Sequence, residues 1–305
     1  MNEARAGIVA VIVTYDSAGV IGRCLESLRA AAPQRGLRVI VVDNASGDGS
    51  AATAAALLGE DAVIRRTENG GFAAGVNAVL SGFAGEYLAV LNPDLVVPPG
   101  ALDALADALD ARPQAGLVAP RVVDPSGRPE DTTGWFPSLE REIAHSWYLD
   151  HLLGREGRRR ALPENGGPVD WVSGCAWLLR GDAARAVGAL DERYFLYFED
   201  VDYCLRLHQA GWEVVAETRV TVIHAGGQGS TRSAEVAADL AGRPVLHFFA
   251  KFRPDTPPAR VLAALRAGWR IRLVYHALRG WLGDPRGAER ARRYQLALAG
   301  RERAD

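Results

Sequence analysis

The chain has 305 residues, 48% of them hydrophobic and 24% charged, which is enough to bury a sizeable core in one large or two modest domains. The formal net charge of −2 hides an asymmetry: residues 251–305 carry 13 Arg or Lys against 5 Asp or Glu, leaving 22 against 32 in residues 1–250. A body of −10 with a tail of +8 argues against a general nucleic-acid binder and for a tail that meets an anionic surface. Cys24, Cys175 and Cys204 are too scattered and too odd in number for a disulfide framework or a zinc site, and they fit a reducing compartment.

Taken in chain order, the first half alternates short β-rich runs with alanine-rich stretches. The apolar run at residues 8–13 is too short for the core of a signal peptide, and it reads as the first strand, Ile8 to Thr14. Further strands are expected at Arg38 to Val42, Ala62 to Arg65, Tyr87 to Leu91 and Gly116 to Pro120, with helices at 18–31, 50–58, 73–82 and 99–111. That alternation predicts an α/β fold with a mostly parallel sheet flanked by helices. Residues 121–169, rich in Pro, Gly and Arg, read as a loop-rich insertion with one helix near 138–153. Strand character returns at Trp171 to Arg180 and Trp212 to Ala216, and residues 219–224 close the body. The expected division is therefore a 1–250 domain and a 251–305 basic helical tail. No stretch of about 18 uncharged apolar residues occurs, so no segment is expected to span a bilayer.

A Rossmann dinucleotide site needs a glycine-rich turn after the first strand, and TYDSAG has a single glycine; the P-loop pattern is also absent. In an open α/β sheet the ligand crevice lies at the carboxyl ends of the strands, and three polar clusters sit there. Thr14, Tyr15 and Asp16 follow the first strand, Asp43 and Asn44 the second, and Asn92, Pro93 and Asp94 the fourth. Asp43 is well placed to accept the imide N–H of a uracil or thymine ring, while DNAS also suits an Asx turn or a helix cap. LNPDLVV delivers Asn92 and Asp94 two residues apart, oxygen ligands suited to Mg²⁺ or Mn²⁺, or equally to a proline turn. ENGGFAAGVN places Asn69, Asn77 and three glycines where a backbone can approach a nucleotide.

FLYFEDVDYCLR, residues 195–206, surrounds Glu199, Asp200 and Asp202 with Phe195, Tyr197, Phe198 and Tyr203. A carboxylate at the edge of an apolar pocket gains proton affinity, as a general base for a hydroxyl requires. The same acids also suit a helix N-terminus through the helix dipole.

These blocks, VAVIVTYDS, VIVVDNASGDGS, ENGGFAAGVN, LNPDLVV and GCAWLLR…FLYFEDVDYCLR…VIHAGGQGS, come in an order that resembles the family 2 glycosyltransferases with the GT-A fold, most closely their bacterial rhamnosyltransferase-like branch. The likeness covers residues 8 to about 226. It implies that Thr14, Tyr15 and Asp43 hold the nucleotide, with Asn69, Asn77 and Asn92 beside them. It further implies that Asp94 is the metal-binding acid of the Asp-x-Asp element, that Asp200 is the catalytic base, and that His224 is a further metal or diphosphate contact. Asn92 stands where that element has its first acid, which weakens or removes one metal ligand. The implied reaction is an inverting displacement from a dTDP- or UDP-sugar, rhamnose first, to a glycan or polyprenyl-linked acceptor, assisted by a divalent cation. Residues 121–169 are then an acceptor-side flap. Glu199, Asp202 and Trp171 are expected to orient the acceptor, with Trp135 and Trp177 as further candidates for stacking on sugars. Two other readings stay open: a sugar nucleotidyltransferase, which TYDSAG disfavours, and a noncatalytic nucleotide-sugar or glycan-binding protein.

In the tail, Ile271, Val274, Tyr275, Leu278, Trp281 and Leu282 recur at helical spacing, flanked by Arg266, Arg270, Arg272 and Arg279. This is the plan of a helix lying on an anionic membrane, or of one docked on the body or in a homodimer. A cytoplasmic protein, peripheral on the inner face of the plasma membrane, is expected.

Overall fold

In the computed structural model, which describes residues 7–149, 162–226, 242–284 and 286–299, the chain enters through β1 (Ile8–Thr14). This strand is β-branched everywhere but Ala10 and buried everywhere but Val9, as a central strand covered on both faces must be. β2 (Leu37–Asp43) and β4 (Tyr87–Leu91) flank it in parallel, and β3 (Val63–Arg65) pairs in parallel with β2. The crossovers are α1 (Ala18–Ala31), α2 (Ser50–Leu58) and α3 (Gly71–Leu80). α1 buries Ile21, Cys24, Leu25 and Leu28, one face at helical spacing, in the core that covers one side of the sheet. α3 starts two residues ahead of expectation because Asn69 Oδ1 accepts the Gly71 N–H at 3.0 Å and turns the chain there.

The chain continues through β5 (Leu95–Val96), α4 (Ala101–Asp110) and β6 (Ala115–Val123). The short strands β7 (Thr133–Gly134), β8 (Gly167–Pro168) and β9 (Trp171–Val172) follow, then β10 (Ala176–Arg180). α6 (Gly181–Val187), α7 (Glu199–Gln209) and β11 (Glu213–His224) complete the sheet region. The main sheet runs β3-β2-β1-β4-β10-β6-β11-β5, with β8 also on β11. β10 is antiparallel to both β4 and β6, whereas β6 and β11 are parallel, so the sheet is mixed α/β with a parallel half at β3-β2-β1-β4. The chain moves outward from β1 to β2 and β3 and then returns to lay β4 on the other side of β1. Such a switch point is where an open α/β sheet places its ligand crevice, at the strands' carboxyl ends.

Two expected strands take a different form. Residues 171–180 split into β9 and β10, because Ser173 N–H donates to Thr132 O (2.7 Å) and β9 pairs with β7 in a separate two-stranded sheet. Residues 212–216 and 219–224 are one strand, β11, with a register shift between Glu217 and Thr221.

In place of a boundary at residue 250, the chain divides into one unit of residues 1–134 with 161–230, and a second of residues 135–160 with 231–305. The second unit comprises α5 (Leu139–Ser146), α8 (Arg243–Phe252), α9 (Pro258–Trp281) and α10 (Gly287–Leu298). Ser138 Oγ caps α5 by accepting the Arg141 N–H. α9 docks on α5 through Trp147 Nε1–H to Ala264 O (3.1 Å) and through Arg272, whose Nε–H meets Ser146 O at 2.9 Å. Gly268 permits that approach, since a Cβ there would lie 2.5 Å from Ser146 Cβ. The expected helix near 138–153 ends as α5 at Ser146, and its span beyond residue 149 lies outside the described residues, as do residues 227–230 of the last sequence block. All three cysteines are free and buried. Among the described residues no helix is long and apolar enough to cross a membrane.

Candidate active site

Register brings the first polar clusters together. Thr14 at the end of β1 is paired with Asp43 at the end of β2, and Asn92 follows directly after β4, whose Leu91 is paired with Ile12. Thr14, Asp43 and Asn44 are buried, yet Thr14 Oγ1, Asp43 Oδ1 and Asn44 Oδ1 have no hydrogen-bond partner among the described residues. Leaving such groups unmet costs about 1–3 kcal/mol each, so a ligand that supplies donors is favoured here. Asp43 uses its other oxygen to accept the Ser46 N–H (3.1 Å), which makes the Asx turn. Beside them Tyr15 is exposed, and Asp16 with Ser46 stitches the β1 loop to the β2 loop.

The glycine-rich segment links this end to the acidic one. Asn44 Nδ2–H donates to Gly71 O (2.9 Å), and Phe72 N–H donates to Phe195 O (3.2 Å). Gly71 has φ of 85° and a Cβ there would sit 2.1 Å from Phe195 O, so two backbones meet where no side chain fits. Tyr197 and Phe198 follow with φ of 68° and 74°, a conformation that costs bulky residues on the order of 1–2 kcal/mol each. The strained turn launches α7 and aims its first residues.

On α7, Glu199, Asp202, Tyr203 and Arg206 share one face by their i, i+3, i+4 and i+7 spacing, and that face is turned inward. Glu199 is 4% exposed and Asp202 fully buried, the latter held by Arg206 Nε–H at 2.7 Å. Asp200 lies about 100° round the helix and is the one acid of the three left partly open. Its Oδ2 accepts the Gly174 N–H (3.1 Å) and its Oδ1 the Val201 N–H (2.8 Å). Desolvation nevertheless raises its pKa above the ordinary carboxylate value, outweighing those backbone donors.

At the far edge of the sheet, β11 pairs with β5 so that His224 lies opposite Leu95, next to Asp94. His224 Nε2 is 3.1 Å from Asp94 Oδ2 and Nδ1 is 2.9 Å from Glu130 Oε2. The hydrogen bond to Asp94 leads in raising the His224 pKa to about 9, with Glu130 adding to it and burial opposing it. Among the described residues no group of three or more His, Cys, Asp or Glu forms a cage for a metal ion. Asp94, and His224 once it gives up a proton, suit a cation that takes its other ligands from a diphosphate, as Mg²⁺ and Mn²⁺ do.

The sequence profile described as Glycosyl transferase family 2 matches residues 9–184, more than half of the chain. The chain belongs to glycosyl transferase family 2. This glycosyltransferase is 34% identical over 229 residues to the N-acetylglucosaminyl-diphospho-decaprenol L-rhamnosyltransferase of Mycobacterium tuberculosis, covering 70% of this chain and 74% of the relative. The fold is GT-A, shared with the mannosyltransferase PcManGT from Pyrobaculum calidifontis in complex with GDP-Man and Mn²⁺ (TM-score 0.56, 17% identity, 97% of this chain and 87% of that one). It is shared also with S. aureus TarS in complex with UDP (TM-score 0.50, 15% identity, 86% and 70%).

Several residues expected in this glycosyltransferase's site lie elsewhere or act otherwise. Asn77 is buried in α3, where its amide meets Leu190 N–H (2.8 Å), Leu190 O (2.9 Å) and Glu192 (2.8 Å) and so tethers the 190–192 loop. Asn69 turns the chain into α3, while Asn92 is half-buried, its N–H donating to Cys175 O (2.9 Å). Glu199 is inside the protein, not open to an acceptor, because its position on α7 faces inward. Trp177 is core, stacked on Tyr203, and Trp135 lies in the second unit under Arg141. Trp171 remains half-buried on β9. Sequence reasoning missed Gly174 as a donor to Asp200 and Glu130 as the second partner of His224. Glu130 sits in the proline-rich loop, where no periodicity marks an acid for a task.

Proposed function

We propose that this family 2 glycosyltransferase transfers a hexose, rhamnose first, from a dTDP- or UDP-linked donor to a hydroxyl of a glycan or polyprenyl-linked acceptor, with inversion. The observation that carries the proposal is the isolation of Asp200: of three adjacent acids it alone is partly open, and its proton affinity is raised. The identity to a rhamnosyltransferase acting on a decaprenol-linked acceptor supports the choice of sugar and acceptor class.

The unpaired oxygens of Thr14 and Asp43 suit the base of the nucleotide, with Asp43 Oδ1 accepting the imide N–H of uracil or thymine and Tyr15 open beside it. Asp94 and His224 would hold Mg²⁺ or Mn²⁺, with Asn92 as a neutral neighbour. A bound cation would neutralise charge on the departing diphosphate. Asp200 takes the proton from the acceptor hydroxyl as that oxygen forms its bond to the sugar C1. The bond from C1 to the diphosphate breaks on the opposite face, and the nucleoside diphosphate leaves. No covalent enzyme intermediate is needed, so no nucleophilic side chain is required. The cytoplasmic location expected from the sequence accords with three buried, unpaired thiols.

The test is a screen of nucleotide-sugars by thermal shift with Mn²⁺, followed by nucleoside diphosphate release and the anomeric configuration of the product. Retained configuration, or a guanosine donor preferred over dTDP- and UDP-sugars, refutes the proposal.

A further inference from the structure

α9 is apolar on two sides. Val261, Leu265, Gly268, Trp269 and His276 are buried within the second unit, and Arg272 is engaged there as well, stacked on Tyr148 and bonded to Ser146 O. A second stripe is open: Ile271, Val274, Tyr275, Leu278, Trp281 and Leu282 are all exposed, the last two by 83% and 75%. Their spacing of i, i+3, i+4, i+7, i+10 and i+11 puts them on one helical face. A contiguous apolar stripe of this kind marks a surface that meets something.

Charge selects the occupant. Arg266 and Arg270 are exposed along one flank of the stripe, and neither has an ion-pair partner among the described residues; Arg279 on the other flank is paired with Asp284. Residues 251–305 carry +8, so a second copy of this face would bring one strongly basic segment against another. No described helix can span a bilayer, which leaves a helix lying in the plane of a surface.

We propose that this face of α9 docks on an anionic lipid surface. Val274, Leu278, Trp281 and Leu282 enter the boundary between headgroups and acyl chains, with Arg266 and Arg270 against lipid phosphates. The docking is independent of the donor, acceptor and metal assigned above.

The experiment is flotation of the full chain with vesicles of phosphatidylcholine containing phosphatidylglycerol, against phosphatidylcholine alone. The parent floats with the anionic vesicles and is released as salt shortens the Debye length toward about 3 Å. Arg266→Gln and Arg270→Gln each weaken binding by about fivefold. Leu278→Glu with Trp281→Glu weakens it on the order of a hundredfold, while melting temperature and donor turnover stay at parent values. Three results overturn the proposal: a parent that ignores anionic vesicles at low salt, equal flotation with phosphatidylcholine alone, or a parent dimer that the double glutamate variant dissolves into monomers.

Discussion

At the scale of single residues, Asp200 is held in a costly state. Its folded pKa is raised, so the charged form is disfavoured by folding, and stability falls as pH rises from the unfolded carboxylate pKa through the folded one. Above that window the penalty is fully present. Asp200→Asn should therefore melt higher than the parent at neutral pH, with the gain vanishing in acid, while turnover falls by roughly 10² to 10⁴ and donor affinity stays within a few fold. The parent's turnover should be lost in acid at a pH above the ordinary carboxylate range; a limb at the ordinary value, or a dead Glu199→Gln beside an active Asp200→Asn, places the base elsewhere. For Asp43→Ala the expectation is weaker binding of uridine and thymidine nucleotides by about 5- to 150-fold, the worth of one buried acceptor, measured by calorimetry. Undiminished binding would remove Asp43 from the nucleotide site.

Among the elements, local pattern was most legible where it was strictest. α1 and α2 fall on the residues expected from the sequence; β1 and the VIVV of β2 are β-branched runs, and β4, apolar throughout, is buried at every residue. What stayed hidden depends on partners distant in sequence: the break in 171–180 follows from Ser173 N–H bonded to Thr132 O and Gly174 N–H turned toward Asp200, and the tether of Asn77 from a loop 113 residues away. The acids of residues 199–202 were recognised as a group, but only helical phase separates the open one from the buried two. α3 and the turn before α7 make contact at Gly71, so Gly71→Ala should cost both stability and turnover, through forced left-handed backbone and collision with Phe195 O; parent-like melting would show the contact to be slack. α9 supplies its own control. Trp269→Ala, on the buried face, should destabilise by about 3–5 kcal/mol, whereas Trp281→Ala should stay within about 0.5 kcal/mol, as denaturant titration can tell. Removing residues 256–305 would strip α5 and α8 of the buried side of α9, so such a truncation should aggregate or melt early.

For the molecule as a whole, sequence order conveyed the α/β class and the crevice at the strand ends, but not the two units. α5 and the residues after it to Tyr148 join α9 through contacts that no composition shift announces. If Asp94 and His224 hold a cation that completes its ligands from a diphosphate, Mn²⁺ alone should raise the melting temperature little, and Mn²⁺ with nucleoside diphosphate more than the two separately. Additive shifts would argue against a cation shared with the ligand. The buried cysteines carry a last consequence. Cys24 on α1 and Cys175 before β10 lie on either side of Asn92, whose O meets Cys24 Sγ and whose N–H donates to Cys175 O, whereas Cys204 lies apart on α7; burial pushes all three thiol pKa values up, to about 12 for Cys24. Native thiols in that state resist alkylation, so each one becomes reactive only when its own neighbourhood opens. The chain thus carries two internal clocks, the Cys24 and Cys175 pair and Cys204, and the order in which an alkylating reagent finds them would time the opening of these regions without any added label.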